Sequence, residues 1–227
     1  MHPRTNLILS GVAIVLIWQL PYGELVLYPF SLLSTYAHEM GHGLTALLVG
    51  ARFDALHIHA DGSGMAVWQG SPTHFDTALV AAGGLAGPTL AGTGLLLLSR
   101  WSARAVLALL AVLIALSVAL WSRNTFGVVY LLSVAATLAI AAKVLPDIWA
   151  AFLLHLVAVT LCLSWWTDLS YMFAKQAIVN GLPHPSDSAV IAQALGFPWW
   201  FGGGLVALLS LTALLLLLGT GWVIRKR

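Results

Sequence analysis

Charge is what this chain has least of. Only 8% of its 227 residues are Asp, Glu, Lys or Arg, while 60% are hydrophobic. A soluble domain carries about 25% charged residues and roughly 45–50% apolar ones. Ten basic and eight acidic side chains cannot coat a soluble domain of this length. A soluble enzyme is therefore excluded, and the apolar content excludes a disordered chain. No basic block exists that could serve as a nucleic-acid footprint. Cysteine is nearly missing as well, and the lone Cys162 rules out an internal disulfide or a multi-cysteine metal site. Internal repeats and low-complexity linkers are absent too, so residues 1–227 read as a single domain.

Long apolar runs are what the chain has instead. They predict an all-α polytopic membrane protein whose length suits about seven crossings (six to eight). The runs cover residues 6–20, 25–50, 76–98, 102–121, 125–142, 148–166 and 199–222. Tryptophans bracket several of them. Trp101 and Trp121 stand 20 residues apart, which on a helix is about 30 Å, the thickness of a hydrocarbon core. Trp149 with Trp165 and Trp166, and Trp199 and Trp200 with Trp222, bracket their runs in the same way, as interfacial belts do. The first run reads as a retained span rather than a signal peptide. Its nearest small-x-small site, Thr35-Tyr36-Ala37, lies well beyond it, and Pro21 follows without a cleavage pattern.

Two stretches are too polar to be ordinary spans. Residues 51–74 alternate with period two around Asp61-Gly62, which predicts a β-hairpin. Residues 167–198 hold Asp168, Lys175, His184, Asp187 and three prolines, and read as a helix end, a loop, and a short helix capped by Ser186 or Asp187.

The second run contains His38-Glu39-Met40-Gly41-His42, an H-E-x-x-H motif. Residues four apart on a helix differ by about 40° net and rise about 6 Å, so both imidazoles project toward one metal ion. Glu39, next to the first histidine, can act as general base on a water at that ion. Zinc would bring that water to a pKa of about 7. For this composition, chance produces the pattern on the order of 0.002 times per chain. A Glu and two His at lipid depth also cost several kcal/mol unless they pair, bind metal or face water. The bland alternative, a polar cluster joining helices by hydrogen bonds, requires neither this spacing nor a carboxylate.

With the motif in an early span, the helix end at Leu48-Val49-Gly50 and the hairpin that follows, the chain resembles the site-2 protease family of intramembrane zinc metalloproteases. More narrowly it is similar to the M50B-like branch found in bacteria, plants and fungi. The pattern continues in Asp61-Gly62-Ser63-Gly64, Ala82-Gly83, Gly87, Arg123-Asn124-x-Phe126, the Asp168 region and Ser186-Asp187-Ser188-Ala189. The resemblance covers roughly residues 30–215. It implies a multi-pass protein of a bacterial cell membrane that binds Zn2+ through His38 and His42. It also implies hydrolysis of membrane-protein or peptide substrates with Glu39 as catalytic base, and a hairpin that helps present an extended substrate.

Catalytic zinc usually has three protein ligands and a water. In the wider family the third is an Asp in an Asp-Gly context that this chain lacks. The carboxylates besides Glu39 are Glu24, Asp54, Asp61, Asp76, Asp147, Asp168 and Asp187. Counting alternating spans puts Asp168 on the same membrane side as the histidines, so it ranks first. Asp187 ranks next, on the same side but in a loop that must fold back. Asp147 follows Leu145-Pro146, as in the family motif, yet falls on the opposite side. The bland readings are an interfacial carboxylate for Asp168 and a helix N-cap for Asp187.

Other histidines read more modestly. His57 and His59 share one hairpin face and serve as polar strand positions rather than a metal pair. His155 in its apolar run bonds a neighbouring helix. Gly83, Gly84, Gly87 and Gly92 have the small-xxx-small spacing of close helix packing. Two rivals to the protease reading stay open: a non-proteolytic relative that keeps the fold as a membrane-protein binder or regulator, and a metal or proton transporter. Seven crossings with a cytoplasmic N-terminus would also leave Arg225-Lys226-Arg227 outside, against the positive-inside tendency, unless residues 167–198 hold a further crossing.

Overall fold

The computed structural model describes residues 3–167 and 169–219; Asp168 and the basic cluster Arg225-Lys226-Arg227 lie outside them. Helix α1 (Pro3–Gln19) leads through a tight turn into α2 (Gly23–Leu48). Strands β1 (Arg52–Ile58) and β2 (Gly64–Gln69) follow, then α3 (His74–Leu98), α4 (Ala103–Trp121), α5 (Thr125–Val144) and α6 (Asp147–Thr167). The chain closes with α7 (Leu169–Met172), strands β3 (Gln176–Val179) and β4 (Leu182–Pro185), α8 (Asp187–Leu195) and α9 (Trp199–Gly219).

Local chemistry sets these boundaries. Thr73 and Asp76 form a capping box at the start of α3: the Asp76 amide donates to Thr73 Oγ1 at 3.2 Å, and the Thr73 amide donates back to Asp76 Oδ2 at 2.9 Å. Ser102 caps α4 by accepting from the Ala105 amide. Gly196, in the left-handed region at φ 73°, ends α8.

Among the described residues, four helices are long and apolar enough to cross a membrane: α3, α4, α5 and α6. A fifth candidate arises if α8 and α9, bent by 115° at their junction, count as one span. The seven crossings expected from the apolar runs are thus supported as four to five. Helix α2, with 26 residues, is long enough, but His38, Glu39, His42 and their polar neighbours dilute its apolar character.

Hydrophobicity alone does not join helices in lipid, so small residues and hydrogen bonds must do so. Helices α2 and α3 meet backbone to backbone. A Cβ on Gly41 would lie 2.2 Å from the Gly83 carbonyl oxygen, and one on Gly87 would lie 2.5 Å from that of Ala37. Gly92 does the same for α3 against α6, beside Ala158 and Cys162. The expected small-residue packing is therefore present. Tyr36 and Ser117 bond across α2 and α4 at 2.9 Å, and the Tyr130 hydroxyl donates to the Pro29 carbonyl at 2.6 Å.

The hairpin expected over residues 51–74 forms as antiparallel β1–β2, with Arg52 opposite Gln69 and Ile58 opposite Gly64. It folds back along α2. Phe53 packs on Gly43 and stacks on Trp121, with ring centroids 4.8 Å apart, and Leu56 and Ile58 are fully buried. The outer edge of β1 is held by the α4–α5 turn. The Asn124 side-chain amide bonds both backbone groups of Ile58, at 3.2 and 2.5 Å, and the Arg123 amide donates to the Leu56 carbonyl.

Residues 167–198 hold more structure than the expected loop and short helix. A second antiparallel hairpin, β3–β4, sits between α7 and α8, turning at Asn180-Gly181 with φ values of 49° and 78°. Two positive φ angles make this a type I′-like turn, which Asn-Gly favours. The hairpin's base is fastened: the Ser186 amide donates to Lys175 O at 3.2 Å, and Ser186 Oγ donates to Ala174 O at 2.6 Å.

Candidate metal centre

Three side chains from two distant parts of the chain converge inside the bundle. His38 and His42 project from one face of α2, as four-residue spacing requires, with their Nε2 atoms 3.1 Å apart. Asp187, the first residue of α8, meets both of them. Its Oδ2 lies 2.9 Å from His38 Nε2 and its Oδ1 lies 3.3 Å from His42 Nε2. Asp187 is 8% exposed and Glu39 6%, so the cluster is sequestered from bulk solvent.

The donor set fits zinc. Bonds of about 2.0–2.1 Å in a tetrahedral site put ligand atoms roughly 3.3 Å apart. The closest approaches here, 2.9, 3.1 and 3.3 Å, lie at or just below that figure, with a different Asp187 oxygen nearest each histidine. Two imidazoles and one carboxylate also leave one of four positions open. Among the described residues this is the one group of three or more His, Cys, Asp or Glu side chains able to hold a metal ion.

The surroundings fix these side chains. His42 Nδ1 lies 2.9 Å from the Val80 carbonyl on α3 and donates its proton there, which leaves Nε2 free for a metal. The His42 ring rests directly on Gly84, where a Cβ would stand 2.1 Å from ring Cε1. The Tyr171 hydroxyl donates to Asp187 Oδ2 at 2.9 Å, and its ring meets His38 edge-on with centroids 5.8 Å apart. Ser188 Oγ donates to Met172 O at 2.6 Å, tying α8 to α7.

Glu39 turns toward the start of β2. A Cβ on Gly64 would lie 2.6 Å from Glu39 Cγ and 2.9 Å from its Oε1, so glycine is what lets the strand approach. The turn of the first hairpin is pinned over this helix. Thr35 Oγ1 donates to Gly62 O at 2.8 Å, and the Tyr28 hydroxyl donates to Ala60 O at 2.7 Å. A cavity of about 570 Å³ opens beside the cluster, walled by Thr35, His38, Glu39, Ser63, Tyr171 and Ile178 among others. The two hairpins touch at its edge, where the Asn180 amide donates to Ser63 Oγ at 3.1 Å. Within the turn, Ser63 donates to Asp61 Oδ1 through its hydroxyl at 2.6 Å and its amide at 3.0 Å. These two bonds hold the Asp61 carboxyl below its ordinary pKa.

The sequence-derived candidates are placed as follows. His38, Glu39, His42 and Asp187 come together. Asp168, ranked first by depth, lies outside the described residues. Asp147 pairs with Arg104 at 2.9 Å at the start of α6. Ser186, not Asp187, is the N-cap of α8, accepting from the Ala189 amide at 3.2 Å. His57 and His59 stack in parallel with centroids 6.3 Å apart. Burial, His59 and Arg123 all push the His57 pKa down. His155 differs from expectation, because its Nδ1 bonds Ala151 O at 2.6 Å within its own helix rather than a neighbour. Its buried Nε2 meets no hydrogen-bond partner among the described residues, so no bond to a neighbouring helix forms.

Two features escaped the sequence reading. Tyr171 carries no pattern that marks it. The β3–β4 hairpin does: Asn180-Gly181 between Ala177-Ile178-Val179 and Leu182 is a strong short-range hairpin signal.

A buried His-His-Asp cluster with an adjacent Glu beside a cavity, inside a bundle of apolar helices, is the arrangement of a membrane metallopeptidase. The family comparison agrees: the model for Peptidase M50B-like proteins matches residues 8–217, nearly the whole chain. The protein belongs to that family and with it to the site-2 protease group. No curated protein and no solved structure gives a significant match.

Proposed function

We propose that the protein is a zinc-dependent intramembrane endopeptidase that hydrolyses peptide bonds of membrane-protein substrates. The observation that carries this reading is the convergence of His38, His42 and Asp187 within 4.8 Å of one another, beside Glu39 and a cavity. His38 and His42 would hold the ion through Nε2, and Asp187 through a carboxylate oxygen. Zinc, when bound, supplies a Lewis acid and a water acidic enough to deprotonate near neutral pH.

The remaining steps belong to the chain. Glu39 takes the proton from the attacking water and passes it to the leaving nitrogen. The buried site limits competing water and strengthens each electrostatic contact. A helical peptide bond is shielded by its own hydrogen bonds, so the substrate segment must unwind before it enters. The cavity wall formed by Ser63, Gly64 and β3 then faces an extended chain.

The test separates metal from chemistry. Purified wild-type protein should contain close to one zinc per chain, and His38→Ala or His42→Ala should remove it. Glu39→Gln should keep the zinc and lose hydrolysis of a membrane-embedded model substrate. Wild-type hydrolysis by Glu39→Gln would refute the assignment.

A further inference from the structure

Asp187 differs from the two histidines in how it reaches the site. His38 and His42 stand mid-helix on α2, against α3. Asp187 stands at the first position of a nine-residue helix, carried on an arm formed by α7, the β3–β4 hairpin and α8. Three hydrogen bonds close this arm on itself. Ser186 Oγ bonds Ala174 O, Ser188 Oγ bonds Met172 O, and Tyr171 bonds Asp187. The first two hold backbone and flank Asp187 on either side. The third reaches the carboxylate itself.

We infer that Tyr171 is the positioning residue that aims the Asp187 carboxylate at the two histidines and so sets how tightly the three would hold zinc. This rests on the metallopeptidase reading above and extends it to a residue that the H-E-x-x-H motif does not predict. The phenol donates to Oδ2 at 2.9 Å, the same oxygen that lies 2.9 Å from His38 Nε2, while Oδ1 faces His42 Nε2 at 3.3 Å. Among the described residues, the contacts of this carboxylate are the two candidate ligand histidines and Tyr171. An ion that engages the imidazoles leaves the phenol as the group that orients Asp187. A hydrogen bond to one carboxylate oxygen fixes the rotation of the whole group. Released, the carboxylate is free to rotate away from the position the two imidazoles need. The Tyr171 ring is itself located by its edge contact with His38, so the hydroxyl is aimed rather than loose.

The test uses full-length protein in detergent, with zinc and cobalt as the probes. Tyr171→Phe keeps the ring and removes the donor. Zinc affinity, measured by competition with a chromophoric chelator, should fall about 10- to 100-fold, as for other outer partners of metal ligands. The visible spectrum of the cobalt-substituted protein should change in position or intensity, because it reports how the ligands are arranged. In an Asp187→Ala background the same Tyr171→Phe change should cost less than about two-fold, since its target is gone. Wild-type zinc affinity and an unchanged cobalt spectrum in Tyr171→Phe would overturn the inference, as would an equal loss in the Asp187→Ala background. Wild-type protein that takes up no zinc would overturn it together with the metallopeptidase reading. Zinc uptake that depends on His38 and His42 but ignores Tyr171 would overturn this inference alone.

Discussion

Gly84 offers a perturbation of the metal centre that touches none of its chemistry. The His42 ring lies against this glycine, and an added methyl would stand 2.1 Å from Cε1, 2.2 Å from Nε2 and 2.7 Å from Cδ2. Ordinary contact begins near 3.4 Å, so the ring or the helix must yield by at least about 1.3 Å. The helices cannot simply part, because Gly41 and Gly83 already hold α2 and α3 backbone to backbone. The ring must therefore move, which also strains the 2.9 Å bond from Nδ1 to Val80 O. Metal–ligand distances tolerate only about 0.2 Å. A displacement several times larger removes one of three ligands, and Gly84→Ala should weaken zinc binding by at least roughly 100-fold. Turnover should fall by at least about as much, since a misplacement near 1 Å alone costs about 100-fold. The assay is metal content after dialysis, with proteolysis measured in parallel. Gly94→Ala is the control, because a Cβ there meets nothing within 4 Å and it lies on the same helix. Wild-type zinc affinity in Gly84→Ala would show that the ring is not where the geometry requires it.

Three further outcomes follow from the same contacts. Asp147→Asn should leave zinc content unchanged and cost less than about 1 kcal/mol of stability in a denaturant titration, because its pair with Arg104 is an exposed one. Thr35→Val removes the bond to Gly62 O that pins the hairpin turn over the cavity; it should raise KM more than it lowers kcat and cost about 0.5–1.5 kcal/mol in stability, and an unchanged KM would refute a substrate-facing turn. Asp61 should titrate below the ordinary carboxylate range in an NMR titration, and Ser63→Ala should bring it back up. Its folded pKa is depressed, so its contribution to the turn is complete above the unfolded value and is lost as pH falls through the folded one.

Most long helices were legible because their signals are physical and local. Apolar runs end where Gly, Ser, Asn and Pro interrupt them, and the observed boundaries of α3, α4, α5 and α6 lie within about two residues of those runs. The first hairpin was legible for a similar reason, since period-two alternation around Asp61-Gly62 admits few other folds. How many of these helices cross a membrane is a different question, and local pattern does not answer it. Helix α2 spends its polar residues on the site, and α8 and α9 meet at 115°. A run of apolar residues does not announce such a bend.

The metal centre divides along the same line. His38, Glu39 and His42 are readable because a single helical turn carries all three, so the spacing in sequence is the spacing in space. The carboxylate of Asp187 is not readable that way, because 144 residues of chain intervene between it and His42. Ranking by depth treated each segment as a straight crossing with its loops left in the interface. That counting favours Asp168, just after the apolar run 148–166 and outside the described residues. Residues 173–187 do not lie straight: Asn180-Gly181 reverses the chain, Ser186 and Ser188 fasten the reversal to α7, and Asp187 returns at the depth of α2. The tight turn at Asn180-Gly181 is therefore what delivers this carboxylate to the histidines. Scarcity of charge had already reduced the possibilities to seven side chains, and a hairpin signal weighed at Asn180-Gly181 would have raised Asp187 among them.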